Sequence, residues 1–373
     1  MVIALKIVGT IVEYNPLHNG HVYAINKIKE ESKADVIIAV MSGDFTMRGE
    51  LSLFNKFEKT DYALKAGIDL IIELPFVYTV HNADNFAKYS VKLLNEAKVD
   101  EIWIGSEGND SSIFEQYYQK WNNPENQKLI KDKLDQGLSY KAASSEIINL
   151  PSNDLLGFSY FKAIKELKLD IKLNTIQRIG TGYYDEAPNI YASAYAIRKN
   201  HSLIKDYCPS YLNISNIRNE QLLFDYLKYR ILSSSTMELK NIFLVDEGLE
   251  NKLNSINNYQ SYDDFVASLT NKRYTKSRIQ RMLAYILFNI DKDTMQQILN
   301  DENTHIRVLG YSNKGLNYLR TIKKQTTIYT NIKNEYNQVL DITLKISKIL
   351  DHIYNTNQAK LEAKRPIEKV ELN

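Results

Sequence analysis

Apolar and polar positions alternate along the first half of the chain in two periods. Short runs rich in Val and Ile occupy residues 2–13, 35–41, 69–74 and 100–105, each bounded by Gly, Pro, Asn or Asp. Between them, residues 20–31, 55–66 and 83–97 repeat apolar positions at helical spacing. Strands alternating with helices predict βαβ units and a parallel sheet. The strands are apolar almost throughout, as strands covered on both faces are. Residues 111–148 read as polar helical sequence, 171–177 as a further strand, and 192–200 as a helix. Beyond about residue 205 the pattern turns helical, at 217–232, 274–290 and 334–354. The stretch IRVLGYSNKGLNYLRTIKK with the following TTIYT predicts a small βαβ element. From about 355 the tail is polar and reads as loosely held.

The pattern therefore predicts an α/β fold in two parts, a parallel-sheet domain at 1–205 and a mostly helical domain at 206–373. Composition adds little: 44% hydrophobic and 25% charged residues are those of an ordinary soluble protein. No run is long and apolar enough for a membrane span. The single cysteine, Cys208, leaves no intramolecular disulfide and fits a reducing cytoplasm. Net charge is +2, divided as about −2 before residue 205 and about +4 after it, so a polyanion would meet the second part.

In a parallel sheet, ligands bind beyond the carboxyl ends of the strands. The first strand ends in Glu13-Tyr14-Asn15-Pro16-Leu17-His18-Asn19-Gly20-His21. Pro16 stops the strand, and Gly20 lets a ligand approach the backbone. His18 and His21 stand three residues apart at the mouth of a helix and share one face. A helix N-terminus suits phosphate, and two imidazoles there could donate hydrogen bonds to charge developing at phosphorus. The plain alternative is a loop with two surface histidines. A zinc site would need a third and fourth ligand, and none stands at a metal spacing. A second feature, Tyr191-Ala192-Ser193-Ala194-Tyr195-Ala196-Ile197-Arg198-Lys199, places Ser193 and Arg198 at another helix start, within reach of further phosphates or simply in solvent. The loop MSGDFTMRGE (41–50) could close over a substrate or be an ordinary charged connection. Glu73 suits an ion pair or a helix cap as well as catalysis.

HxGH with a downstream S-x-x-x-x-R resembles the HIGH-signature nucleotidyltransferases. The longer motifs VGTIVEYNPLHNGHVYAI, AVMSGDFTMRGELSLFNKFEKTDYAL, DLIIELPFVYT, IGSEGND, SNDLLGFSYFKAI, TIQRIGTGYYD and KRYTKSRIQRML keep one order and resemble the tRNA(Met) cytidine acetate ligase family from about residue 5 to at least 290. The resemblance implies a Rossmann-like nucleotidyltransferase domain and ATP, accompanied by Mg²⁺. It implies activation of acetate to acetyladenylate and transfer of the acetyl group to N4 of the wobble cytidine of elongator tRNA(Met). His18, His21, Ser193 and Arg198 would serve catalysis. Val8, Gly9, Thr10, Ile11, Val12, Glu13, Tyr14, Asn15, Pro16, Leu17, His18, Asn19, Gly20 and His21 match the first ATP-binding segment; Gly105, Asn153 and Arg178 match the other ATP contacts. By themselves, Gly105 could merely turn the chain and Asn153 could cap the helix near 155. Tyr195 stands where the family has a small hydroxyl residue, and its bulk either narrows the site or swings outward. Lys272, Arg273, Lys276, Arg278 and Arg281 surround Tyr274, a basic stretch with an aromatic that could stack on an RNA base. Two other functions fit the same residues, adenylyl transfer to a phosphorylated cofactor precursor and ATP and RNA binding without catalysis.

Overall fold

A computed structural model of the chain describes residues 5–179, 191–246, 248–301, 303–333 and 337–369. The GTGYYD end of one motif, residues 180–185, lies outside them, as do residues 1–4 of the first apolar run.

Strands β1 (Ile7–Val12), β2 (Val36–Ser42), β3 (Leu70–Leu74), β4 (Glu101–Ser106) and β5 (Lys172–Gln177) pair in parallel in the order β5-β4-β1-β2-β3. Alternate residues feed two cores. Ile7, Ile38, Val40, Leu70 and Ile72 face one; Val8, Ile37, Ala39, Met41 and Ile71 face the other. Both faces of the sheet are covered, which is why these strands read as continuous apolar runs.

The helices that frame the site are α1 (Asn19–Ser32), α2 (Lys56–Ala66), α3 (Ala83–Glu96), α4 (Ser152–Glu166) and α5 (Ala194–Lys199). The C-terminal part is built around α6 (Glu220–Leu232), α7 (Lys276–Phe288), α8 (Gln338–Tyr354) and α9 (Gln358–Glu362). Residues 111–148 form three short helices, Ile113–Asn122, Pro124–Asp135 and Tyr140–Ser144. Among the described residues, no helix is long and apolar enough to cross a membrane.

Two sequence expectations are corrected. The late βαβ element exists, as β6 (Ile306–Tyr311), a helix at Asn313–Ile322 and β7 (Ile328–Tyr329), but it does not stand apart. β6 pairs antiparallel with β3, so the sheet is not confined to residues before 205. Nor is the tail loose as far as it is described. β8 (Ile367–Glu368) pairs with β6, and Glu362 is fully buried. Arg307 donates to Glu362 at 2.9 Å, Ser347 Oγ donates to it at 2.8 Å, and Lys56 forms an ion pair with it. Lys56 also pairs with Glu73 at 2.8 Å. Burial alone would push the Lys56 ammonium down, but Glu362 and Glu73 hold it above its ordinary value. Polar spacing hid this anchor because the buried tail residue that makes it, Glu362, is itself polar and finds its partners Lys56 and Arg307 far away in sequence.

Candidate active site

The turn after β1 builds itself from its two histidines. His18 is the N-cap of α1, and its Nδ1 accepts from Gly20 N–H at 3.1 Å. His21 Nδ1 accepts from His18 N–H at 3.2 Å. The pair forms a capping box in which imidazoles replace the usual hydroxyl and carboxylate. Their rings lie 3.7 Å apart, tilted by 30°. With both Nδ1 atoms accepting, the neutral tautomer keeps its proton on Nε2, so each ring has one N–H left to donate. Burial, with Arg178 and Arg198 close by, pulls His18 down to about 3. Burial, His18 and Arg178 hold His21 well below its ordinary value. Both rings are therefore neutral donors at pH 7.

These rings open on a cavity of about 270 Å³ at the carboxyl ends of β1, β4 and β5. His18, His21, Ser193 and Arg198 all line it, as do Thr10, Ile11, Val12, Glu13, Tyr14, Asn15, Gly20, Gly105, Asn153 and Arg178. Val8, Gly9, Pro16, Leu17 and Asn19 do not. Val8 and Leu17 are buried in the core. A Cβ on Gly9 would meet Leu94 at 2.7 Å, so that backbone is committed to packing. Asn19 reaches away to the Asp206 carbonyl.

Arg198 arrives from 180 residues away, on α5. Its guanidinium donates to the Asn15 carbonyl at 2.8 Å and lies 3.4 Å from Glu50. It therefore braces the turn as well as facing the cavity. Ser193 caps α5, accepting from Ala196 N–H at 3.1 Å. A Cβ on Gly105 would sit 3.2 Å from Arg178 Cγ, so the missing side chain makes room for the arginine stem. Asn153 does not cap α4, whose N-cap is Pro151; it donates to Glu107 at 2.5 Å.

Several lining residues escaped the rule that reads chemistry just after each strand. Trp103 lies inside β4 and donates to Glu101 at 2.7 Å; Gln177 is the last residue of β5. Met47 and Arg48, by contrast, come from the 43–50 loop, which the sequence does single out. That loop is a tight turn, with Phe45 and Leu51 bridged and Met47 N–H donating to Glu13 at 2.6 Å. Gly49 has φ 82° and lies against the Arg281 backbone, 2.6 Å from where a Cβ would stand. Asp44 in the same loop is buried against Arg218 at 2.7 Å. Glu73 proves to be the ion-pair partner of Lys56 and does not line the cavity.

The balance of charge favours an anion. Among the described residues, Arg48, Arg178 and Arg198 line the cavity against one carboxylate, Glu13, whose affinity for a proton is raised by burial. Among the described residues, no group of three or more His, Cys, Asp or Glu could hold a metal. Tyr195 points elsewhere, into a neighbouring cavity of about 440 Å³ that shares Arg198. There Lys276 is paired with Asp263 at 3.0 Å. Tyr274 is buried, 8% exposed, so the stacking aromatic expected in the basic stretch is not at the surface.

Parallel sheet, histidine turn and arginine-lined cavity define a nucleotidyltransferase of the HIGH class, and a sequence model of the HIGH Nucleotidyl Transferase family matches residues 5–365. A tRNA(Met) cytidine acetate ligase of Staphylococcus haemolyticus is 37% identical over 94% of this chain and 95% of its own. The Bacillus subtilis protein of the same name is 35% identical over 92% of each chain. The crystal structure of Thermotoga maritima TmcAL, also solved bound with alpha-thio ATP, superposes with a TM-score of 0.86 at 26% identity, covering 98% of this chain and 99% of that one. This chain belongs to the tRNA(Met) cytidine acetate ligase family, and it is an enzyme, a ligase.

Proposed function

We propose that the enzyme activates acetate with ATP and passes the acetyl group to N4 of the wobble cytidine of elongator tRNA(Met). One observation carries the reading: two neutral imidazole donors and Arg198, far apart in sequence, meet at one arginine-lined cavity suited to an anion. An acetate oxygen attacks the α-phosphorus of ATP, the bond to the bridging oxygen breaks, and pyrophosphate leaves. Acetate is already an anion at neutral pH, so this step needs no general base. The His18 and His21 Nε2–H groups stabilise charge at phosphorus, and positioning supplies the rest. The cytidine N4 amine then attacks the acetyl carbonyl, loses a proton, and AMP leaves. Mg²⁺ bound with ATP would neutralise the charge of the triphosphate. Among the described residues Glu13 is the lone carboxylate of the cavity, and it already accepts from Met47, so such an ion would be held through phosphate and water oxygens.

Residues 1–205 provide the nucleotide site in this reading, and residues 206–373 meet the tRNA, in the cytoplasm. The test combines α-labelled ATP, acetate and tRNA. AMP release and tRNA acetylation that both require acetate support the reading. Transfer of label to a phosphorylated small molecule would indicate an adenylyltransferase; binding without turnover would indicate an inactive ATP- and RNA-binding protein.

A further inference from the structure

Helix α6 buries Leu223, Phe224, Leu227 and Ile231. Its opposite face should be polar, yet it carries Leu222, Tyr226, Tyr229 and Leu232, exposed by 41%, 37%, 72% and 48%. At helical spacing these four side chains fall within about a third of the helix circumference. Exposed apolar surface gathered in one place marks an interaction site.

Helix α8 runs antiparallel beside it. Tyr354 Oη donates to the Asn219 carbonyl at 3.0 Å, and the Tyr226 and His352 rings meet edge-on at 5.6 Å. At the other end, Arg230 and Lys345 both donate to Asn289, at 2.5 and 3.2 Å. The outer side of α8 presents Lys345, Lys348 and His352, all exposed and spaced three and four apart, so they form one row. A cationic row therefore lies alongside an aromatic stripe. Asp341 begins that row and Asp225 flanks the stripe on its other side.

We infer that this face of α6 and α8 binds RNA, unpaired bases of the tRNA stacking on Tyr226 and Tyr229 while Lys345 and Lys348 meet phosphates. The inference rests on the proposed function. Aromatic platforms beside lysines are the combination that single-stranded nucleic acid requires, since bases offer π-faces and the backbone offers negative charge. Position agrees with chemistry. Asn219 and Glu220, at the start of α6, line the second cavity, which shares Arg198 with the first. Tyr229 lies nine residues further on, roughly 14 Å along the helix. A few nucleotides bridge that distance.

The test measures binding of a tRNA(Met) transcript by fluorescence anisotropy over a range of salt, with acetate-dependent ATP–pyrophosphate exchange in the absence of tRNA as the control. Tyr229→Ala should weaken tRNA binding roughly tenfold with exchange unchanged, and Tyr229→Phe should restore it. Lys348→Gln should reduce the slope of log affinity against log salt by about 0.7–0.9. Equal affinity and slope in Tyr229→Ala and Lys348→Gln would overturn the assignment, as would a change of oligomeric state in Tyr229→Ala with tRNA affinity retained, which would mark a protein-binding face. Should Tyr229→Ala lose exchange through misfolding, Lys348→Gln decides, and an unchanged slope rejects the surface. A parent protein that binds no tRNA(Met) overturns the proposed function as well; a parent that binds, with variants that bind equally, overturns the surface alone.

Discussion

The smallest unit with a function of its own is the histidine pair. His18 and His21 cap α1 and line the cavity at once, so a substitution must separate the cap from the proposed donor role. His21→Ala removes one donor and should cut acetyladenylate formation by on the order of 10²–10³, read as acetate-dependent pyrophosphate release. His18→Asn keeps an N-cap oxygen but removes the imidazole. Native His18 titrates at about 3, far below an unfolded histidine near 6.5, so the native state binds fewer protons between those values. Its contribution to stability is present above about pH 6.5 and is lost as the pH falls toward 3. Urea midpoints at pH 4.5 and 7.5 should therefore differ less in His18→Asn than in the parent. Arg198 has two tasks as well, one on the Asn15 carbonyl and one facing the cavity. Arg198→Lys keeps the charge without the fork and should retain some ATP binding by calorimetry while slowing adenylation; Arg198→Ala should lose both. Normal affinity and rate in the alanine variant would remove Arg198 from the site.

At the scale of elements, the site depends on segments that never touch it. The 43–50 loop is held by Asp44 to Arg218, beyond the sheet domain, and by Gly49 against α7. Helix α2, whose N-cap is Asn55, follows that loop and is tied through Lys56 to Glu362 of α9. The C-terminal segment thus fastens the helix that follows an active-site loop. Glu362 is buried between two cations, and removing its charge leaves Arg307 without its ion-pair partner and Lys56 with Glu73 alone. Glu362→Gln should cost about 3–5 kcal/mol in denaturant unfolding, well beyond what an exposed pair contributes. A loss below about 1 kcal/mol would show that Lys56 is satisfied by Glu73 alone.

For the whole molecule, one sheet joins both ends of the chain, and the helical part from 206 to 300 is held between visits to it. Its exposed basic residues are where the tRNA reading can be tested. Lys272 and Arg273 are exposed, whereas Lys276 is paired with Asp263. Reversing Lys272 and Arg273 to Glu should weaken tRNA binding and flatten its salt dependence, leaving tRNA-independent exchange unchanged. A parallel fall in both activities would make the segment structural. Lys276 is left intact because its loss would remove the nearer of the two cations paired with Asp263.

Periodicity and strand-end chemistry in the sequence determined the parallel α/β core, the histidine turn and the second helix start, because each is a local pattern. The capping box is legible in the spacing of His18 and His21, since three residues is one helical turn. Tertiary structure alone decided which of the segment from Val8 to His21 faces the cavity: Gly9 and Leu17 lie within the motif but pack into the core. It alone brought Arg198 to Asn15, placed Tyr195 in a second cavity, and buried Tyr274. It also joined β6 to β3 and sank Glu362 between Lys56 and Arg307. In each case the deciding partner is remote in the chain, and a buried polar residue in sequence looks the same as one in solvent until its partner is seen.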